Sequence, residues 1–147
     1  MKQLNGDLIS LAKDGHFDVI VHGCNCFNTM GAGVAKLIKS EFPEAFEADL
    51  KTEKGSKDKL GTISYAKSGS LTVVNAYTQH NWRGRGIKAD YEAIRRAFKE
   101  IRNNFSGLRI GYPAIGAGLA GGDWQIIAQI ISEELNGEDH TLVVYSP

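Results

Sequence analysis

The sequence predicts an α/β sandwich, and three observations carry that expectation. Short apolar runs rich in β-branched residues alternate with segments of helical period. The composition of the runs suggests strands largely covered on both faces. The chain's 147 residues are the size of one ordinary domain, enough to bury about two-thirds of the unfolded surface, with no room for a second.

The strand runs are residues 18–24, 61–65, 71–77, 108–112 and 141–145, and Leu4 belongs to a candidate sixth. Residues 8–13 read as a short helix that Asp7 can cap. Val34, Leu37, Ile38 and Phe42 repeat at helical spacing up to Pro43, which can open a second helix because its missing N–H falls where no partner exists. Residues 52–59 are polar and charged and read as a surface loop. Ile94, Ala97, Phe98 and Ile101 give one buried helical face with Asp90 as its cap. Ile126, Ile127, Ile130, Ile131 and Leu135 give another, with Asp123 near its start and Asn136-Gly137 as its stop. No internal repeat is present.

Composition narrows the function. Hydrophobic residues make up 42% and charged residues 23%, ordinary for a folded domain. Lys plus Arg equals Asp plus Glu at 17 each, so no global positive field draws in a nucleic-acid backbone, and any anion must be held locally. No apolar stretch approaches the roughly 20 residues of a membrane span, and the start carries no secretory signal, so the expected compartment is the cytoplasm and no membrane partner is expected. Cys24 and Cys26 are too few and too close for a disulfide framework and read as reduced, buried thiols. With His22 they make a poor zinc set, and no metal or cofactor is expected.

Two glycine-rich turns each follow a strand and precede a helix. The first runs from Val21 through Cys24, Asn25, Met30, Gly31, Ala32 and Gly33 to Val34; the second runs from Tyr112 through Ile115, Gly116, Ala117, Gly118 and Leu119 to Gly122. Glycine lets backbone approach a ligand closely, and the N–H groups opening a helix attract an anion, so two such turns suit a diphosphate. The alternative is that the glycines serve tight turns alone. Neither turn matches G-x-G-x-x-G, and no G-x-x-x-x-G-K-[ST] occurs, so hydride-transfer and nucleoside-triphosphatase readings lack their signatures.

These residues resemble the macrodomain family over nearly the whole chain. Asn5-Gly6-Asp7-Leu8 looks like an early family element, and the two turns look like its diphosphate loops. His22-Gly-Cys-Asn-Cys with Met30-Gly-Ala-Gly-Val-Ala, then Phe42-Pro43-Glu44-Ala45, is similar to the branch containing ADP-ribose-1″-phosphate phosphatase. The stretch from Pro113 to Trp124 and the final Val144-Tyr145 look similar as well. The resemblance implies a three-layer α/β/α sandwich with a central mixed sheet, a monomer, and ADP-ribose or ADP-ribose-1″-phosphate as ligand.

It also implies roles. Asp7 would accept from the adenine amine with the Leu8 backbone beside it, or cap its own helix. Tyr145 would stack on the adenine, or be a core aromatic. Met30, Gly31, Ala32, Gly33 and Val34, with Ile115, Gly116, Ala117, Gly118 and Leu119, would hold the diphosphate. Asn25 would bind the distal ribose with Asn28 near it, or either would tie its own loop. His22 and Asn25 are the catalytic candidates, His22 as general acid–base, its alternative being a satisfied core histidine. His80 is a weaker second candidate.

Related macrodomains that remove ADP-ribose from acidic side chains or DNA use a lysine where this chain has Gln79, and an aspartate in the second loop where Ala120 follows Leu119. Lysine-dependent glycohydrolysis therefore lacks its groups. The readings left are a phosphatase acting on ADP-ribose-1″-phosphate and a non-catalytic reader of free or protein-linked ADP-ribose. A third uses Trp82, Arg83, Arg85 and Lys88 as a rim for ADP-ribosylated nucleic acid, or leaves them an exposed loop.

Overall fold

Val19 and Val21 of one central strand face one cluster of buried side chains while Ile20 and Cys24 face another, and this alternation makes the sheet two-sided. The structure, a computed structural model, describes residues 1–83 and 86–146. In chain order the elements are β1 (Lys2–Gly6), α1 (Leu8–Lys13), β2 (Val19–Cys24), α2 (Gly33–Glu41), α3 (Pro43–Leu50), a single 3₁₀ turn at Lys57–Lys59, β3 (Ile63–Ser68), β4 (Leu71–Tyr77), α4 (Tyr91–Phe105), β5 (Ile110–Tyr112), α5 (Trp124–Glu134) and β6 (His140–Tyr145). The sheet runs β1-β6-β5-β2-β4-β3, with every pair parallel except β3 against β4. This is the mixed sheet of an α/β/α sandwich, with α1, α2 and α3 on one face and α4 and α5 on the other.

Three helices begin on an aspartate. Asp7, Asp90 and Asp123 accept from the amides of Ser10, Ala93 and Gln125, each at 2.9 Å, contributing about 1 kcal/mol apiece. α4 then buries Ile94, Ala97, Phe98 and Ile101 on one side, and α5 buries Ile127, Ile130 and Ile131 before Gly137 turns the chain away at φ 83°.

The structure moves several expected boundaries. β3 starts at Ile63 because Gly61 turns in the left-handed region, its N–H given to the Tyr77 carbonyl. β5 starts at Ile110 because the Arg109 carbonyl accepts from Asp18 and Val19, while its guanidinium clasps the Asp18 carboxylate. Leu4 lies in a true sixth strand, yet that edge is largely exposed and β3 is only part-buried, so cover on both faces holds for β2, β4 and β5. In α2 only Ile38 is buried, and Leu37 is 52% exposed. Residues 52–59 do not all lie at the surface: Lys59 is 6% exposed, its ammonium donating to the Cys26 carbonyl at 3.1 Å and to Asn28 Oδ1, above the Tyr77 ring. Those partners satisfy a charge that would otherwise resist burial.

Candidate functional site

β2 pairs with β4 along its whole length, from Val19–Thr72 to Cys24–Tyr77, but with β5 only at Val19–Ile110 and Ile20–Gly111. After Cys24 the chain leaves toward α2; after Tyr112 it leaves toward α5, in the opposite layer. Strands whose continuations part to opposite faces leave a crevice at their carboxyl ends, the usual ligand position in open α/β sheets. A cleft of about 470 Å³ occupies that position.

Both glycine-rich turns line it. Asn25, Met30, Gly31, Ala32, Gly33 and Val34 form one wall, and Ile115, Gly116, Gly118 and Leu119 form the other. Gly23, Cys24, Asp49 and Thr78 line it too, as do Gln79 and Trp82. The walls meet at Gly33, where an added Cβ would stand 3.6 Å from Leu119 Cδ1.

Local sequence sets each wall. Asn25 pins the first turn, Oδ1 accepting from Phe27 N at 2.8 Å and Nδ2 donating to Thr29 Oγ1 at 2.9 Å. Met30 follows at φ 42° and Gly33 at φ 57°, so the chain enters α2 through left-handed backbone. Unlike α1, α4 and α5, α2 has no side-chain cap: Ala32 holds that position. Its opening amides, at the positive end of the helix dipole, are therefore left to whatever enters the cleft. In the second turn the Gly122 N–H closes onto the Gly116 carbonyl at 2.7 Å. A Cβ on Gly122 would lie 2.6 Å from that same oxygen, so only glycine fits.

Other expected ligand residues stand elsewhere. Ala117 does not line the cleft; its N–H is turned onto the Ala114 carbonyl at 3.2 Å. Asn28 is corrected to a scaffold residue, its amide donating to the Thr52 carbonyl and accepting from Lys59. Asp7 and Leu8 lie beyond this cleft, after β1, where Gly6 pairs with Tyr145 of β6. Asp7 does cap α1, Leu8 is buried, and Tyr145 is 70% exposed, which removes its core-aromatic alternative.

The largest correction concerns His22. It is 1% exposed, does not line the cleft, and points with the even positions of β2 toward the α3 layer. Nε2 lies 2.6 Å from Asn75 Oδ1, and burial pushes the imidazole down to about 4, against the raising effect of that hydrogen bond. So placed, His22 fits its alternative, a satisfied core histidine. His80 is half-buried, bonded to the Gly55 carbonyl at 3.0 Å and edge-on to Phe27. In the proposed rim, Trp82 lines the cleft with Arg83 over its ring at 4.9 Å, Lys88 donates to the Gly86 carbonyl, and Arg85 lies outside the described residues.

Sequence reasoning missed the polar run behind the cleft. Asn75 donates to the Ala45 carbonyl at 2.9 Å and to Ser64 Oγ at 3.0 Å; Ser64 lies 2.8 Å from the Tyr77 hydroxyl, which donates to Asp49 Oδ1 at 2.6 Å. Burial raises the Asp49 carboxyl, opposed by Tyr77 and Lys59, and lowers the Lys59 ammonium, opposed by Asp49. Burial, then the Asp49 charge, raises the Cys24 thiol. The available signal was position: Asp49 falls four residues after Ala45 and seven after Phe42, on the apolar stripe of its helix.

Comparison with known proteins agrees with this architecture. A family model described as the Macro domain matches residues 21–131. An uncharacterised 17.5 kDa protein of Enterobacteria phage T4 is 35% identical, with 100% of this chain and 97% of that protein covered. The DNA ADP-ribosyl glycohydrolase of Mycobacterium tuberculosis is 26% identical over 97% of this chain, which spans only 41% of that protein. The ADP-ribose 1″-phosphate phosphatase of Aspergillus oryzae is 39% identical over 46 residues, 31% of this chain and 21% of that protein. The solved macrodomain of Thermus aquaticus DarG superposes with a TM-score of 0.74 at 25% identity, covering 99% of this chain and 97% of that one. A model match over most of the chain, on this sheet order and this cleft, makes the chain a member of the macrodomain family.

Proposed function

We propose that the cleft binds ADP-ribose by its diphosphate and that the protein hydrolyses ADP-ribose-1″-phosphate to ADP-ribose and phosphate. One observation carries the binding half: the uncapped start of α2 and the turn at residues 115–119 border a single cleft. Amides that no side chain satisfies, beside glycines that admit close approach, suit a diphosphate. β6 and β1 stand two and three strand spacings from β2, about 10–15 Å, so an adenosine laid along the carboxyl edge reaches Asp7, Leu8 and Tyr145. The distal ribose then lies toward Asn25, the catalytic candidate that does line the cleft.

The reaction follows from what lines that end. Gln79 offers no cation or amine nucleophile, and Ala120 offers no carboxylate, so lysine-dependent cleavage lacks its parts. Backbone donors beside Asn25 would stabilise charge on a terminal phosphate as water attacks it. The short phosphatase match supports this reading. A second reading, release of ADP-ribose from modified DNA, is favoured by the likeness of 97% of this chain to part of the glycohydrolase and by Trp82 at the rim, where a base could stack.

Calorimetry with ADP-ribose, run beside phosphate release from ADP-ribose-1″-phosphate and ADP-ribose release from modified protein and DNA, separates these readings. Binding with phosphate release is the expected result. Release from modified DNA alone would establish the second reading, and binding without any turnover would leave a reader.

A further inference from the structure

Asp49 is the buried carboxylate of the cleft. It stands on α3, is 1% exposed, and lines the cavity together with Gly23 and Cys24. Its Oδ1 is occupied by the Tyr77 hydroxyl at 2.6 Å, whereas Oδ2 is buried and has no hydrogen-bond partner among the described residues. Protein interiors seldom leave a carboxylate oxygen unpaired, and here the unpaired atom belongs to a residue bordering a ligand-sized space.

We propose that Asp49 is a catalytic residue, its Oδ2 receiving the proton of the water that attacks the terminal phosphorus. This rests on the phosphatase reading above. As the water oxygen bonds to phosphorus, the bond from phosphorus to the ribose 1″ oxygen breaks. The water's proton passes to Oδ2 and is returned to the departing 1″ oxygen, so the products are ADP-ribose and inorganic phosphate and the carboxylate ends unchanged. The role matches the one expected from the sequence for His22, which is buried on the same face, bonded to Asn75, and does not line the cleft.

The surroundings suit that work. The Tyr77 hydroxyl, itself 2.8 Å from Ser64 Oγ and 3.5 Å from Thr52 Oγ1, fixes the carboxyl plane so that Oδ2 keeps one direction. The other titratable groups facing Asp49 are the Lys59 ammonium, which favours its charged form, and the Cys24 and Cys26 thiols, raised by burial. Burial lifts the carboxyl above its ordinary range while Tyr77 and Lys59 restrain it, the balance needed by a group that takes and returns a proton.

Two variants test this. Asp49→Asn keeps the size of the side chain and an oxygen for Tyr77. It is expected to lower kcat for phosphate release by about 100-fold, with ADP-ribose affinity held within about threefold. Tyr77→Phe removes the hydrogen bond that lowers the Asp49 carboxyl, and is expected to move the acid limb of the kcat profile to higher pH, a shift no purely structural role produces. Should Asp49→Asn fail to fold, that limb decides the matter. An active wild type with kcat retained to within threefold in Asp49→Asn, or an unmoved limb in Tyr77→Phe, overturns the assignment and leaves the phosphatase reading intact. A wild type that binds ADP-ribose and releases no phosphate overturns both.

Discussion

The two helix layers bury the same sheet by different means. On the α4–α5 side, Val21, Val74, Ile94, Phe98, Ile101, Ile127 and Ile131 close on one another, and the Tyr112 hydroxyl meets His140 at the edge of that cluster. On the α3 side a hydrogen-bonded run from His22 through Asn75, Ser64 and Tyr77 to Asp49 crosses the layer, with Lys59 beside it. The first arrangement maximises apolar burial. The second surrenders part of that gain to fix polar groups in definite directions, and through Asp49 it reaches the cleft. Both faces reach the cleft, the first through Ile115 and Ala120, but only the second brings a buried polar network to it.

The contrast is most exposed to a cut in the apolar layer. Phe98→Ala removes a fully buried ring that meets Tyr112 edge-on at 5.8 Å, and is expected to cost about 3–5 kcal/mol in urea denaturation. ADP-ribose affinity of the folded fraction should be unchanged; a loss of affinity without a loss of stability would dissolve the division of labour.

The polar layer answers to acid. His22 has an ordinary value of 6.5 and is held at about 4 by burial, so between those values the unfolded chain binds a proton that the folded chain refuses. Stability should therefore fall as pH drops from about 6.5 toward 4, by about 3 kcal/mol in all, with no contribution above that window. Other groups titrate there too, so the measurement is the difference in denaturation midpoint between wild type and His22→Gln across the range. Parallel curves would show that the imidazole is not held neutral.

Smaller effects belong to the entrance. In Gly122→Ala the new methyl meets the Gly116 carbonyl at 2.6 Å, so the second turn must shift, and ADP-ribose affinity is expected to drop about tenfold, or 1.4 kcal/mol. Leu119 is 83% exposed, so Leu119→Ala should change stability by less than about 0.5 kcal/mol, and calorimetry should find affinity within a few-fold of wild type. An equal loss from both variants would mean that side chains, and not backbone shape, hold the ligand.

Much of the fold was legible because period and capping act locally. Asp7, Asp90 and Asp123 cap the helices they precede, and Pro43 opens α3 where its missing N–H costs nothing. The glycine turns were legible because a strand, a turn and a helix in sequence leave little choice of geometry. What escaped depends on tertiary placement. A run such as Leu71–Tyr77 does not disclose that Asn75 will meet His22 and Ser64, nor does a lysine among charged residues disclose that it will be buried over Tyr77. His22 read as a site residue because sequence does not tell how deep a side chain sits: it shares a face of β2 with Cys24, which lines the cleft, but stands two residues further in, against Asn75.

Peptide groups have the same chemistry whatever side chain they carry, and that bears on how this entrance can change over time. Ala32, Val34 and Leu119 line the opening with apolar side chains that offer no hydrogen bond, so the polar contacts there fall to the main chain. Substitution is resisted instead where backbone shape is at stake, by strain at Gly33 and Gly116 and by a direct clash with the Gly116 carbonyl at Gly122. A lineage of such chains can lose most of its letters here and still keep the door.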